Sequence, residues 1–300
     1  MAIMTPYEIR DPRFEDLTLH NVELEHLFEG CRWAEGPVWF GDMNQLVWSD
    51  IPNDRMMRYI PEVGTSVFRG VSRNSNGNTR DREGRLVSCE HLARRVSRTE
   101  ADGRVVTLAD RFEGRRLNSP NDAVVKSDGS VWFTDPSYGI RDAYEGDRAE
   151  EEQPVRGVYR VDGASGAVTR VADDFLQPNG LAFSPDESRL YIADSGASHA
   201  PDHPRHIRRL RVEGERLIDD GVFAVIDRGI PDGIRVDRNG NVWSSAADGV
   251  HCFAPDGTCL GKILVPEVVA NLCFGGPKRN RLFITATRSL YSIYVRAQGC

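Results

Sequence analysis

Six positions in this 300-residue chain offer side-chain oxygens at the head of a repeated pattern: Glu35, Asn76, Asn121, Asn179, Asp232 and Asn271. They lie 41, 45, 58, 53 and 39 residues apart, and none is His or Cys. Oxygen donors carrying about two negative charges suit a hard divalent cation, Ca²⁺ first and Mg²⁺ or Mn²⁺ next. Zn²⁺, which structural sites hold with Cys and His, follows them. A cation held in this way polarises a carbonyl or phosphoryl oxygen, so hydrolysis of an ester-like bond is the chemistry within reach.

Each position taken alone also has a plainer reading. Asn and Asp ahead of a strand are turn residues, and in a repeated chain they recur because the turn recurs. Glu35 departs from that reading, because Glu is a poor turn former and here stands between CRWA and a Gly-Pro pair. The metal reading of the set is therefore the stronger.

The repeat supplies the scaffold that would bring six distant residues together. Its copies read EGPVWFGDMNQLVWSD from Glu35, NGNTRDREGRLVSCE from Asn76, NDAVVKSDGSVWFTD from Asn121, NGLAFSPDESRLYIAD from Asn179, DGIRVDRNGNVWSSA from Asp232 and NLCFGGPKRNRLFITA from Asn271. Most hold two runs rich in Val, Leu, Ile, Phe and Trp around a Gly, Asp, Asn or Pro turn, the pattern of a β-hairpin. The second copy has a polar first run. Further strand pairs fall between copies, as in RRVSRTEADGRVVTLA (94–109) and GVYRVDGASGAVTRVA (157–172). About four strands per unit at this spacing predict an all-β, six-bladed β-propeller, read as one domain over residues 1–300. An N-terminal segment, 1–30, would close the ring by pairing LTLHNVELEHLF with the last blade. The innermost strand of each blade lines the central channel, so the six heads of the repeat converge on one axis.

The motifs AEGPVW, SPNDAVV, VWFTDP, QPNGLAFSPD and PDGIRVD resemble the gluconolactonase and senescence-marker-protein family of lactone hydrolases, from about Cys31 to Thr287. Bacterial gluconolactonases are the most similar in pattern; drug-responsive lactonases and diisopropyl fluorophosphatases are further away. The resemblance implies Glu35, Asn179 and Asp232 as metal ligands, with Asn121 a further ligand or a substrate contact. Some family members carry an arginine two residues before the Asn121 position, where this chain has Ser119. The implied substrate is a small sugar lactone whose carbonyl the cation polarises. Asp232 would act as general base toward water, or else as nucleophile. Two alternatives stay open: phosphotriester hydrolysis on the same metal, and a non-catalytic binding platform with a structural ion.

Glu90, His91 and Asp194 end second strands near the channel and have two readings, substrate contact or hydrogen bonding between blades; Asn76 and Ser119 are further candidate substrate contacts. The segment 141–155 holds six acids and two arginines and reads as a solvated loop or as a lid over the entrance. HAPDHPRH (199–206) places three histidines in what reads as a surface loop. Trp39, Trp48, Trp132 and Trp243 recur at strand positions as inter-blade core. No GxSxG motif and no CxxC pair occurs. The net charge of −7 argues against nucleic acid or an anionic membrane as partner. Neither a signal peptide nor a membrane span is evident at the sequence level, which makes a cytoplasmic location the expectation; the oligomeric state is not encoded in these patterns.

Overall fold

The computed structural model describes residues 6–300. Its strands form six blades in a ring, each a four-stranded antiparallel sheet: a six-bladed β-propeller. The short turns written in each copy close hairpins, so strand order within a blade follows chain order. Blade 1 runs Ala34–Phe40, Gln45–Asp50, Arg55–Ile60 and Gly64–Arg69. Blade 2 begins with Ser75–Arg80, blade 3 with Ala123–Val125, blade 4 with Pro178–Phe183, blade 5 with Ile234–Val236 and blade 6 with Val269–Gly275. The polar first run of the second copy is therefore a full strand. Its serine and asparagines are buried and hydrogen-bonded, so polarity does not expel it from the sheet.

The first strands of neighbouring blades pack on one another around the ring, and Ala34–Phe40 meets both Ser75–Arg80 and Val269–Gly275. The outer strand of blade 6 is Glu25–Glu29, paired antiparallel with Ser289–Tyr294. A strand from before the first blade thus completes the last. A second N-terminal strand, Tyr7–Ile9, adds a fifth strand to blade 5 by pairing with Cys259–Leu264. Sequence reading missed it because three residues carry no periodicity of their own.

Aromatic side chains fill the wedges between blades. Trp39 of blade 1 stacks on Phe283 of blade 6 at 5.3 Å, Trp132 of blade 3 meets Phe183 of blade 4 edge-on at 5.6 Å, and Trp243 of blade 5 meets Phe274 of blade 6 at 5.8 Å. Trp48, Trp132 and Trp243 are fully buried. Truncating one to Ala would cost about 3–5 kcal/mol.

Two further features bear on the site. In blades 1, 2, 4 and 6 the register of the first hairpin slips beside the head of the repeat, between Glu35 and Val38, Ser75 and Asn78, Pro178 and Leu181, and Val269 and Asn271. A bulge of this kind re-aims a side chain without ending the sheet. The inner ring is also stitched from blade to blade by backbone bonds: Gly77 N–H to Asn121 O (2.7 Å), Gly180 N–H to Asp232 O (3.1 Å) and Gly233 N–H to Ala270 O (2.8 Å).

Candidate active site

Glu35, Asn76, Asn121, Asn179 and Asn271 are buried, and Asp232 is half-buried. All six stand at the start of their blades' inner strands, at one end of the channel. The glycines that follow four of them let the strands approach. A Cβ on Gly36, whose φ is +52°, would lie 2.1 Å from Asn76 O, and one on Gly180 would lie 2.2 Å from Asp232 O.

Hydrogen bonds set the orientation of Glu35 and Asn271. Glu35 Oε2 accepts from Gly36 N–H at 2.6 Å and from Asn271 Nδ2 at 3.0 Å. The same amide reaches Asp122 Oδ2 at 3.4 Å, and Leu272 N–H donates to Asn271 Oδ1 at 2.8 Å, which fixes which end of that amide faces the acids. Asp232 N–H donates to Ser245 Oγ at 2.9 Å, and the Asn179 amide favours the charged form of the Asp232 carboxylate. Asn179 O accepts from Thr134 Oγ1 at 2.7 Å, tying blade 4 to blade 3.

His91 is buried beside this ring. Its Nδ1 lies 3.2 Å from Glu145 O and its Nε2 lies 3.3 Å from Asn76 Nδ2. A carbonyl can only accept, so Nδ1 carries the proton and Nε2 receives the Asn76 amide. Burial lowers the imidazole to about 4, leaving a neutral ring that positions Asn76.

Ser119, Glu90 and Asp194 are engaged elsewhere. Ser119 Oγ donates to Pro136 O at 2.7 Å and accepts from Gly139 N–H at 3.0 Å, pinning the turn Tyr138–Ile140. Glu90 pairs with Arg95 of its own blade at 2.7 Å and accepts from Ser97. Asp194 accepts the backbone N–H groups of Leu176 (3.1 Å), Gln177 (2.9 Å) and Gly196 (3.2 Å). The histidines of HAPDHPRH do not converge: His199 bonds Gln177 and Ser198, each at 2.8 Å.

Three charged residues that the sequence did not single out join the site. Asp122, next to Asn121, is buried and receives Arg235 at 3.6 Å. Arg235, three residues after Asp232, lies in the inner strand of blade 5. Glu145 comes from the acidic segment 141–155, which the sequence offered as a solvated loop or a lid without naming this residue. The acids oppose one another's ionisation. Withdrawal from water first, then repulsion from Asp122 and Glu145, pushes Glu35 up to about 8. Asp232 is raised well above the carboxylate range by burial and by repulsion from Glu35, Glu145 and Asp122. Glu145 rises to about 7 through burial.

A set of crowded, oxygen-only donors with a single arginine beside it is what a divalent cation relieves, by favouring the charged form of every carboxylate around it. Glu35, Asn121, Asn179 and Asp232 fit that role in residue type and position. The acid–histidine group found among the described residues, Asp227, Asp248 and His251, is filled by an ammonium: Lys262 Nζ lies 2.8 Å from each aspartate, and Arg10 lies 2.7 Å from Asp227. That group is a structural ion-pair cluster.

Residues 33–288 match the family model described as the SMP-30/gluconolactonase/LRE-like region. The chain belongs to that family. It is similar to a gluconolactonase of Zymomonas mobilis, 30% identical over 96% of this chain and 85% of the relative. It is also similar to a pentonolactonase of Haloferax volcanii, 32% identical over 85% of this chain and 81% of the relative. Among solved structures, a gluconolactonase of Xanthomonas campestris superposes with a TM-score of 0.90 at 36% identity, covering 97% of this chain and 94% of that one.

Proposed function

We propose that this protein hydrolyses a sugar lactone, glucono-1,5-lactone or a related aldonolactone, to the aldonic acid, using one divalent cation, Ca²⁺ in first place. The protein is an enzyme of the lactonase type, as its family relatives are. The observation that carries the finer reading is that Glu35, Asn179 and Asp232 lie near one another and near Asp122, which Arg235 approaches at 3.6 Å. When bound, the cation supplies Lewis acidity that polarises the lactone carbonyl.

The side chains divide the remaining work. Glu35, Asn179 and Asp232 would hold the cation, with Asn121 either a fourth donor or a contact to the lactone. Asp232 sits at the mouth, only half-buried, where a carboxylate can take a proton from attacking water. Its backbone is fixed by Ser245, so the base is held in place before substrate arrives. Asn271 keeps Glu35 aimed, and Arg235 keeps Asp122 from adding its full repulsion. A lactone ester is reactive enough that no Ser-His-Asp arrangement is required.

The test is a pH-indicator assay of glucono-1,5-lactone opening by chelated protein, before and after adding Ca²⁺, Mg²⁺, Mn²⁺ or Zn²⁺, corrected for spontaneous opening. Turnover restored by an ion supports the reading. Ion binding without turnover refutes it, and the same protein is then offered a phosphotriester.

A further inference from the structure

Asn76 is held at every polar atom but one. Its Nδ2 is taken by His91 at 3.3 Å, and its backbone oxygen accepts from Ser49 Oγ at 2.8 Å and Asn78 Nδ2 at 3.0 Å. Nothing among the described residues donates to its Oδ1, and that atom is not sealed from solvent. At the head of blade 2's inner strand, the space it meets is the channel. The imidazole behind it is clamped. His91 is fully buried, its N–H donates to Asn74 O at 3.1 Å, and its carbonyl accepts from Arg94 N–H at 3.0 Å. Over its face lies the turn Tyr138–Ile140, where a Cβ on Gly139 would stand 2.5 Å from His91 Cβ and Cγ and 2.9 Å from Nδ1.

We propose that His91 is a positioning residue, which holds Asn76 so that its Oδ1 accepts a hydroxyl of the lactone. The inference rests on the lactonase reading and extends it to substrate recognition from blade 2. The direction of each bond follows from the one before it. Glu145 O is a backbone carbonyl and can only accept, which puts the ring proton on Nδ1. Nε2 of the neutral ring can then only accept, which turns the Asn76 Nδ2 toward it and leaves the oxygen on the channel side. A chain that starts at a backbone carbonyl cannot reverse, so the exposed end of Asn76 is an acceptor. It pairs with a hydroxyl and is left unpaired by an analogue that lacks one, which is how a hydrogen-bonding site discriminates.

His91→Gln and His91→Asn separate the two ends of the ring. Gln keeps a carbonyl within reach of Asn76 and gives up the bond to Glu145 O, whereas Asn keeps an N–H for Glu145 O and leaves the Asn76 amide without its acceptor. Asn76→Ala removes the oxygen itself. All three are compared with the wild type, loaded with Ca²⁺, on glucono-1,5-lactone and on δ-valerolactone, which has the same ring without hydroxyls. One aligned neutral hydrogen bond is worth about fivefold. The expected result is a KM for glucono-1,5-lactone raised about fivefold in His91→Asn and Asn76→Ala, close to the wild type in His91→Gln, with no matching rise on δ-valerolactone. A loss in kcat alone, equal losses on both lactones, no change on either, or a His91→Gln as impaired as His91→Asn overturns the proposal. So does a loss of Ca²⁺ affinity by calorimetry as large as that of Glu35→Gln, which would make Asn76 a ligand. If His91→Asn does not fold, Asn76→Ala and the rescue by His91→Gln decide. If the wild type opens only the hydroxylated lactone, the split between KM and kcat and the same rescue decide. A wild type that opens neither lactone overturns the underlying reading before any variant is compared.

Discussion

Gly180→Ala isolates the packing that sets the site from the chemistry performed there. Gly180 donates its N–H to Asp232 O at 3.1 Å, joining blade 4 to the residue proposed as base. A Cβ added at Gly180 would lie 2.2 Å from that oxygen, 2.8 Å from Gly233 Cα and 2.9 Å from Ile234 N. All three are backbone atoms, so no side chain can rotate away, and the two inner strands must part by about 1 Å. Overpacking of this kind costs about 1–3 kcal/mol, and weakening the hydrogen bond adds about 1 kcal/mol. For a chain of this size roughly 2–4 °C is lost per kcal/mol, so the melting temperature should fall by about 4–16 °C. A displacement of about 1 Å at a catalytic group costs on the order of 100-fold in turnover, so kcat should fall by more than the loss of stability explains. Gly70→Ala is the control, because a Cβ there meets nothing within 4 Å and its φ is ordinary; it should be neutral or slightly stabilising. The assays are differential scanning fluorimetry and lactone opening at a temperature where both variants stay folded. If Gly180→Ala melts with the control and keeps its activity, the seam does not position Asp232 and the argument fails.

Asp232→Asn should abolish turnover, about 100-fold or more, while its melting temperature holds or rises because a repelled acid has been removed; retained activity would take Asp232 out of the mechanism. Glu35, pushed up to about 8, is protonated at pH 7 before the cation binds, so Ca²⁺ binding at that pH should release protons, visible as buffer-dependent heat in calorimetry. Glu35→Gln should weaken the affinity and reduce that release. Asp135 is fully buried and raised to about 7 by burial, and neither its Oδ1 nor Asn118 Oδ1 has a hydrogen-bond partner among the described residues. The folded state therefore binds a proton that the unfolded chain has lost above pH ~4. Its contribution to stability is full below that value, declines as pH rises to about 7, and is level above. Asp135→Asn should flatten the decline, which is worth up to roughly 4 kcal/mol; an unchanged slope in denaturation between pH 5 and 8 would refute the assignment.

The sequence carried the architecture because the same unit is written six times. A hairpin announces itself locally, through alternating apolar runs and a turn, and repetition at blade length determines how hairpins must stack. Oxygen donors at equivalent positions then have to converge, since equivalent positions of a ring share an axis. Glu35, Asn121, Asn179 and Asp232 were legible for that reason. Other features had no local signature. Glu90 and Asp194 stand at the right strand ends, but Arg95 in one case and three backbone N–H groups in the other claim their oxygens. Which partner a carboxylate finds depends on contacts between strands that sequence spacing does not express. Asp122 lay in plain view beside Asn121, yet only packing decides that it is buried against Asn271 and Arg235.

What the residues determined by themselves is the ring, its six-fold repeat, the family, and the donor types at the channel mouth, all consequences of periodicity and of identity at repeated positions. Tertiary structure alone decided that the acidic loop sets the Glu145 carbonyl on buried His91. It also decided that His91 fixes Asn76, and that Lys262 fills the one acid–histidine cluster found among the described residues. The physical reason is range: strands and turns follow from neighbours in the chain, whereas burial, repulsion and ion pairing depend on groups that only the closed ring brings within a few ångströms.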